Sequence, residues 1–367
     1  MTRCPPEILG ASAEQRLDYY KHTVKVDHPI MSDTVDALDQ KANDALDRRL
    51  ILLVGGTGVG KSTAMLKLVD RRNARRKNEI RLRPEIAPAI FVEAEAPDKG
   101  PFEFGTFYRE GLVQLGSPLV DQTLPMVNRR AREHILLTLG IENYRQRRLD
   151  PYALKLRFRS EIVSRETELV ALDEAINVFK TGRAKSEKDR LLLLKDQADK
   201  LKTLINKTPA ALILSGAYDF YELTLCSGQN ARRSVIVHME PYDSTTDGLK
   251  GFCTALVGLV EHLPVRHNLD VGAMATEMYL QCLGCVGIAK EILSQALLLS
   301  INAGKPLNFE HVQKSYYSAS QLTVMREEMA AGVKAVREIT SLASLAFHAG
   351  NAAAKGNQKG KRLAMAP

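Results

Sequence analysis

The sequence predicts an α/β fold: a parallel five-stranded sheet flanked by helices, followed by an all-helical domain. Short apolar segments alternate with stretches of helical spacing, and they cover residues 50–54, 89–94, 168–172, 210–214 and 234–238. Continuous apolar strands that alternate with helices are typical of a parallel sheet covered on both faces. After Pro241 only helical patterns follow, near residues 244–262, 270–282, 286–302 and 309–318.

These patterns divide the chain into four predicted segments. The first segment is helical, with a break at His28-Pro29, and the last contains a helix from about 320 to 348 and a basic Gly/Lys/Ala-rich tail for which we expect disorder. The predicted segments are 1–48 (N-terminal helices), 49–242 (α/β core), 243–319 (helical domain) and 320–367 (C-terminal helix and tail).

Composition favours a cytoplasmic protein without a membrane partner. The 367 residues are 45% hydrophobic and 26% charged, as in globular domains. There is no apolar run of transmembrane length, and the N-terminus lacks a signal-peptide core. The five cysteines are sparse, which fits a reducing compartment. Cys282 and Cys285 form a lone C-x-x-C, which we interpret as two buried helical cysteines because a zinc site needs a second ligand pair.

The charge distribution is compatible with an acidic partner such as nucleic acid. The net charge is +8, and residues 129–159 contain nine Arg or Lys against three acids. The tail adds four basic residues between Lys355 and Arg362. A basic segment of this kind can contact a phosphate backbone, although global charge is weak support by itself.

The strand at 50–54 leads into a glycine-rich loop and a helix start. This stretch consists of Gly55, Gly56, Thr57, Gly58, Val59, Gly60, Lys61, Ser62 and Thr63. Strand, loop and helix with the spacing G-x-x-x-x-G-K-S form a P-loop, whose backbone N–H groups surround nucleotide phosphates. We expect Lys61 to reach the β- and γ-phosphates of ATP, and the Ser62 hydroxyl to bind Mg²⁺. The alternative is a glycine-rich turn that contains Lys-Ser by coincidence.

Two acids follow the apolar residues of the third strand. Asp173 and Glu174 come directly after residues 169–172, at the strand end where ligands bind in open α/β sheets. We expect Asp173 to hold Mg²⁺ through water and Glu174 to polarise the attacking water. The alternative is that the pair caps a helix.

Four further residues carry polar groups towards the same predicted site. Ser215 ends strand four, near the expected γ-phosphate, although Ser-Gly also forms turns. Arg232 and Arg233 precede strand five, from where an arginine can reach a neighbouring subunit's γ-phosphate; adjacent arginines can instead be solvated. Lys290, near the start of a helix, can fold back over the phosphates or remain a surface lysine.

Taken in order, these motifs resemble those of AAA+ ATPases. Within that superfamily the sequence most resembles the TnsC/TniB regulators of DNA transposition. The residues that carry the resemblance are 53–63, 92–97, 172–175, 214–216, 229–233 and 284–293. The resemblance implies an AAA+ P-loop NTPase core with a helical lid and the cofactors ATP and Mg²⁺. In this family the second sensor is usually arginine, whereas this chain has Lys290, which lacks the guanidinium fork.

The resemblance also implies partners. A homo-oligomer, as a ring or helical filament, would surround duplex DNA and recruit a transposase to a target chosen by another protein. Lys99 matches a family loop that contacts DNA phosphates, which gives binding without base readout. The basic segment adds the candidate phosphate contacts Arg129, Arg130, Arg145, Arg147 and Arg148.

Two other functions fit parts of the pattern. Replication initiators and helicase loaders of AAA+ type usually end in a winged-helix or helix-turn-helix module, and only about fifty residues follow the lid here. A P-loop signalling or chaperone switch would not need DNA, and the basic segment at 129–159 disfavours it.

Overall fold

The computed structural model describes residues 3–44, 50–97, 100–117, 150–180, 186–220 and 234–338. The chain forms two compact units. The sheet unit comprises Met31–Val54 and Lys61–Val237, and the helical unit comprises Met1–Ile30, Gly55–Gly60 and His238–Pro367. The four segment limits predicted from the sequence stay predictions.

The five predicted strands form one sheet, which confirms the predicted fold class. The strands are β1 (Leu50–Val54), β2 (Ala89–Glu93), β3 (Leu169–Asp173), β4 (Ala211–Gly216) and β5 (Ser234–His238). Their order in the sheet is β2-β3-β4-β1-β5, and β1, β2, β3 and β4 pair in parallel. Residues 51–54, 169–172 and 212–214 are buried, because helices cover both faces of such a sheet.

The helices of the sheet unit alternate with its strands along the chain. They are Pro29–Asn43, Lys61–Arg75, Lys77–Leu82, Phe104–Gln114, Pro151–Ser164 and Glu187–Lys207. The first of these helices enters the sheet unit at Met31. Pro29 starts a helix rather than only breaking one, because the first helical position needs no N–H donor. Residues 125–139, whose sequence also predicts a helix, lie outside the described residues.

The helical unit confirms the predicted change to helices after Pro241. Its described elements are Pro6–Leu9, Ala13–Asp18, the π-helix Tyr19–Thr23, Thr246–Glu261, Val271–Cys282, Val286–Ala303, Phe309–Gln313 and a helix over 319–338. The helix predicted at 309–318 ends at Gln313. Ser318 instead starts the next helix, since its hydroxyl accepts from the Gln321 N–H and its own N–H donates to the Gln321 side chain.

One described helix, Val286–Ala303, is long and apolar enough by length and composition to cross a membrane. Its buried residues, among them Ile292, Leu293 and Leu297, face the interior of the helical unit. A core helix of a globular unit passes the same test, so one such helix is weak evidence for a membrane span.

The C-x-x-C motif joins two helices of this unit. Cys282 ends one helix, Cys285 precedes the next, and both are buried. Burial raises the pKa of the Cys282 thiol, which disfavours the thiolate that a metal requires. Among the described residues no group of three His, Cys, Asp or Glu is placed to hold a metal ion.

A buried ion pair in the sheet unit ties the helix Pro29–Asn43 to the helix that follows the glycine-rich loop. Arg72 Nη2 lies 2.7 Å from Asp39 Oδ1, and the two side chains are only 6% and 8% exposed. Arg75 Nη2 lies 2.6 Å from the other carboxylate oxygen of Asp39. Burial works against the charged form of Asp39, but the hydrogen bond from Arg75 and the charge of Arg72 outweigh it and lower the pKa of this carboxyl.

We expect Asp39→Asn to lower the free energy of unfolding by about 1–3 kcal/mol at neutral pH, because it removes the closer carboxylate partner of the buried Arg72 and leaves Glu168 at 3.3 Å. The folded-state pKa of Asp39 lies below the unfolded value, so this stabilisation is present above about pH 4 and is lost as the pH falls through the folded-state pKa. Urea unfolding of both proteins at several pH values measures the difference. Asp36→Asn is the control, since its side chain is 66% exposed and its pair with Arg71 should contribute at most about 1 kcal/mol.

Candidate functional site

Parallel register brings polar side chains from three neighbouring strands into one row at the carboxyl edge of the sheet. Glu93 on β2 is paired with Asp173 on β3, and Ser215 on β4 is paired with Leu53 on β1. The register between β3 and β4, which pairs Leu172 with Leu214, places Asp173 beside Ser215 one residue later. Residues in one row of a parallel sheet point to the same face. The predicted Asp173 and Ser215 are therefore brought together.

The Ser215 side chain is the strongest sign of a ligand in this row. Its residue is 0% exposed, and its hydroxyl has no hydrogen-bond partner within the part of the chain that the structure describes. An unpaired buried hydroxyl is unfavourable by about 1–3 kcal/mol, and native structures usually satisfy such groups. An orphaned hydroxyl at the end of the strand next to β1 fits a partner that binds at this edge.

Glu174 leaves the strand in a strained backbone conformation. Its φ is +49°, in the left-handed region that non-glycine residues rarely adopt, and its side chain is exposed. Hydrogen bonds fix the backbone on both sides of it: Ala94 N–H donates to Asp173 O at 2.9 Å, and Asn177 N–H donates to Glu174 O at 2.9 Å. Such strain occurs preferentially at functional sites, where it aims a side chain.

The glycine-rich loop contains two glycines at positive φ. Gly58 and Gly60 have φ values of +78° and +110°. In the helical unit, a Cβ at Gly55 would lie 2.4 Å from Met239 O, so no larger residue fits there. The loop ends where the helix Lys61–Arg75 begins, and the first N–H groups of a helix lack intrahelical partners. The half-buried Lys61 and Thr63 and the exposed Ser62 form that helix start.

These residues fit ATP and Mg²⁺ by their donor chemistry. The N–H donors at a helix start suit a phosphate chain, and a lysine adjacent to them supplies the counter-charge. The buried hydroxyl of Ser215 offers a further polar group, and Asp173 is a carboxylate that is 5% exposed. Oxygen ligands such as the Ser62 hydroxyl and the Asp173 carboxylate are those that Mg²⁺ prefers.

Lys290 lies in the helical unit with its ammonium group bound to backbone. Nζ donates to Lys21 O at 2.8 Å and to Val24 O at 2.7 Å. Burial, and then the charge of Lys25, lower the pKa of this ammonium. The prediction that Lys290 contacts phosphate stays a prediction, and the structure adds a second role, in which Lys290 holds the N-terminal segment.

The remaining predicted site residues lie outside the described residues. They are Lys99, Arg129, Arg130, Arg145, Arg147, Arg148, Arg232 and Arg233. Their roles in contacting DNA and in reaching the γ-phosphate of a neighbouring subunit stay predictions.

Glu93 is a residue of this row that was not predicted from the sequence as part of the site. This residue ends β2 in the same row as Asp173, and it lines an acidic cavity of about 430 Å³ together with Glu95, Glu103 and Glu110. A signal for it was present, because Glu93 follows four apolar strand residues just as Asp173 does.

The comparison with protein families identifies the domain that these residues form. Residues 44–224 match the family model of an AAA domain, AAA_22. This match, over just under half of the chain, agrees with the predicted AAA+ P-loop fold and supports an ATPase at the level of the domain family. A comparison with curated protein sequences found no match.

Two solved ORC structures support the same fold. The ORC2 protein of Aeropyrum pernix, in its ADPNP-ADP complexes, has a TM-score of 0.55 and 14% identity, over 81% of this chain and 70% of that chain. The ORC1 protein of Aeropyrum pernix in complex with DNA has a TM-score of 0.51 and 19% identity, over 83% and 70%. A Walker-type ATPase of Pyrococcus abyssi is less similar, with a TM-score of 0.47 and 15% identity, over 87% and 77%.

We expect Ser215→Ala to keep the free energy of unfolding or to raise it by up to about 1–3 kcal/mol, because the substitution removes an unpaired buried hydroxyl and no protein hydrogen bond. It should slow ATP turnover by at least about tenfold if the hydroxyl serves the ligand. Ser300→Ala is the matched control: it removes a 2.7 Å bond to Lys305 O, so it should lose about 1 kcal/mol of stability but keep the ATPase rate. Thermal unfolding and phosphate release measure the two effects, and a Ser215→Ala protein with unchanged turnover would contradict the role.

Proposed function

We propose that this protein is an ATP-dependent, DNA-binding AAA+ regulator of DNA transposition similar to TnsC. One observation carries the nucleotide part of the proposal. The orphaned Ser215 hydroxyl lies in one row with Asp173 and next to β1, whose carboxyl end continues into the glycine-rich loop. The transposition part is supported by the sequence motifs that resemble the TnsC/TniB regulators.

In this proposal the residues of the row and of the loop have separate tasks. Lys61 and the N–H groups at the helix start bind the phosphates, and Ser215 donates a hydrogen bond near the γ-phosphate. Glu174, held in its left-handed conformation, orients the attacking water. Ser62 and Asp173 would hold Mg²⁺, which when bound neutralises the charge that develops on the phosphate oxygens.

Assembly and DNA binding complete the proposal. Arg232 or Arg233 would complete the site of a neighbouring copy, so hydrolysis would depend on the homo-oligomer. Lys99 and the basic segment at 129–159 would contact duplex DNA through its phosphates, and one weak contact per subunit becomes strong when an assembly repeats it. The net charge of +8 supports an acidic partner. A transposase and a target-selecting protein would be the protein partners.

Replication initiation is the second candidate function. The likeness to the two ORC proteins favours it, since one of those structures is a complex with DNA. At 14% and 19% identity, that likeness concerns the fold alone. The sequence motifs at 92–97 and 229–233 favour a transposition regulator instead.

We expect Lys61→Ala to abolish nucleotide binding and Glu174→Gln to keep binding while turnover falls by about a hundredfold or more. The physical reason is that Lys61 binds the ground-state phosphates, whereas the Glu174 carboxylate acts on the water. Titration with a fluorescent nucleotide and a phosphate-release assay separate the two steps. Glu310→Gln, an exposed acid in the helical unit, is the control. Wild-type turnover in Glu174→Gln would refute the assignment.

We also expect ATP-dependent binding of duplex DNA without sequence preference and with a steep salt dependence. Lys99→Ala should weaken binding equally on all sequences and flatten the salt slope, whereas Lys250→Ala, another exposed lysine, should do neither. Fluorescence anisotropy at several salt concentrations measures both variants.

Electron microscopy of the protein with duplex DNA and a non-hydrolysable ATP analogue tests the assembly. A ring or filament centred on DNA supports the transposition regulator. Monomers without DNA at nucleotide-saturating concentrations would reject it in favour of a P-loop switch. Preference for one DNA sequence would favour an initiator, because sequence-specific binding needs base contacts or DNA shape readout.

A further inference from the structure

One helix of the helical unit begins directly against the glycine-rich loop. The Gly287 N–H, near the start of Val286–Ala303, donates to Gly58 O at 2.8 Å. The first N–H groups of a helix have no intrahelical acceptor, and a side chain at the N-cap usually satisfies one of them. The N-cap of this helix is Cys285, which makes no side-chain cap. The loop carbonyl therefore serves as an acceptor for this helix start.

The contact requires glycine on both sides. A Cβ at Gly287 would lie 2.4 Å from Gly58 O and 3.1 Å from Gly58 C. A Cβ at Gly58 would lie 2.5 Å from the Ile288 side chain, and Gly58 also has a positive φ. The atoms that these Cβ groups would meet belong to the backbone or to the Ile288 side chain, which is 3% exposed. Neither the backbone nor this buried side chain can move aside without a large cost in free energy.

The same helix start is anchored to the segment that flanks the other end of the loop. Tyr242 N–H donates to Gly284 O at 3.0 Å, and the Tyr279 hydroxyl donates to Tyr242 O at 3.1 Å. Three residues before Tyr242, the backbone of Met239 packs against Gly55. The loop is thus held at Gly55 and at Gly58 by two connected parts of one unit.

We infer that Gly287 is a positioning residue for nucleotide binding: its N–H fixes the Gly58 carbonyl and so the orientation of the loop. A peptide unit is planar, so fixing the carbonyl oxygen of Gly58 also fixes the direction of the Val59 N–H. A carbonyl turned towards a phosphate chain would repel it, and the hydrogen bond to Gly287 holds this oxygen in another direction. The inference rests on the proposed binding of nucleotide at this loop.

A positioning role for the loop predicts a specific pattern of effects. The loop binds the phosphates that ATP and ADP share, so both nucleotides should lose affinity together. Because ground-state and transition-state binding weaken equally, the turnover at saturating ATP should change much less than KM. By reciprocity, bound nucleotide should stabilise the start of the helix Val286–Ala303.

The test compares Gly287→Ala with Gly272→Ala. Gly272 is also the second residue of a helix in the same unit, but a Cβ there would meet, among the described residues, only the Asp270 side chain at 3.3 Å. We expect Gly287→Ala to raise the Kd of ADP and of ATP by about tenfold or more, with a matching rise in KM and a smaller change in kcat. Gly272→Ala should bind both nucleotides like the wild type. Circular dichroism melting without nucleotide monitors the folding of each variant.

Hydrogen exchange of the wild-type protein gives a readout that needs no variant. ADP should slow exchange of the amides at 286–290 more than that of the amides in Thr246–Glu261.

Unchanged affinity of a folded Gly287→Ala protein, or exchange at 286–290 that ADP does not slow, would overturn the inference while leaving nucleotide binding intact. Loss of affinity for ATP alone would also overturn it, because that result indicates a contact with the γ-phosphate. A wild-type protein that binds no nucleotide would refute both this inference and the proposed function.

Discussion

The parallel register of the central strands is the constraint on which the candidate site depends. Because β1, β3 and β4 run in the same direction, their carboxyl ends meet at one edge of the sheet. That edge receives Asp173 and Ser215 in one row, and the glycine-rich loop starts there from Val54. A shift of one residue in a strand would turn its polar side chain to the opposite face. The buried apolar residues before each polar one prevent this shift, since they have to stay in the core.

The glycines of the loop serve packing as well as phosphate chemistry. Gly55 gives room to the backbone of Met239, and Gly58 gives room to Ile288 while it adopts a positive φ. A glycine-rich turn without these neighbours would be free to change conformation. Contacts within the helical unit restrict the loop at both positions, which lowers the entropy that a ligand would have to remove on binding.

Lys290 shows how burial decides the partner of a charged side chain. An ammonium group in a half-buried position needs hydrogen-bond acceptors, and the carbonyls of Lys21 and Val24 supply two of them. The helix that carries Lys290 thereby holds the N-terminal segment, while its first turn holds the loop at Gly58. Two contacts within one helical turn connect these segments of the helical unit.

Local patterns of the sequence determined the strands, most helices and the type of the glycine-rich loop. Apolar runs encode burial, and glycine spacing encodes backbone conformation, so both can be read without knowing what packs against them. The tertiary structure decided what such patterns do not encode, namely which groups meet. It set the strand order β2-β3-β4-β1-β5, it placed Glu93 in the row of Asp173, and it directed the Lys290 ammonium to two distant carbonyls. It also paired Gly58 with Gly287, because a contact between residues 229 positions apart depends on how the whole unit packs.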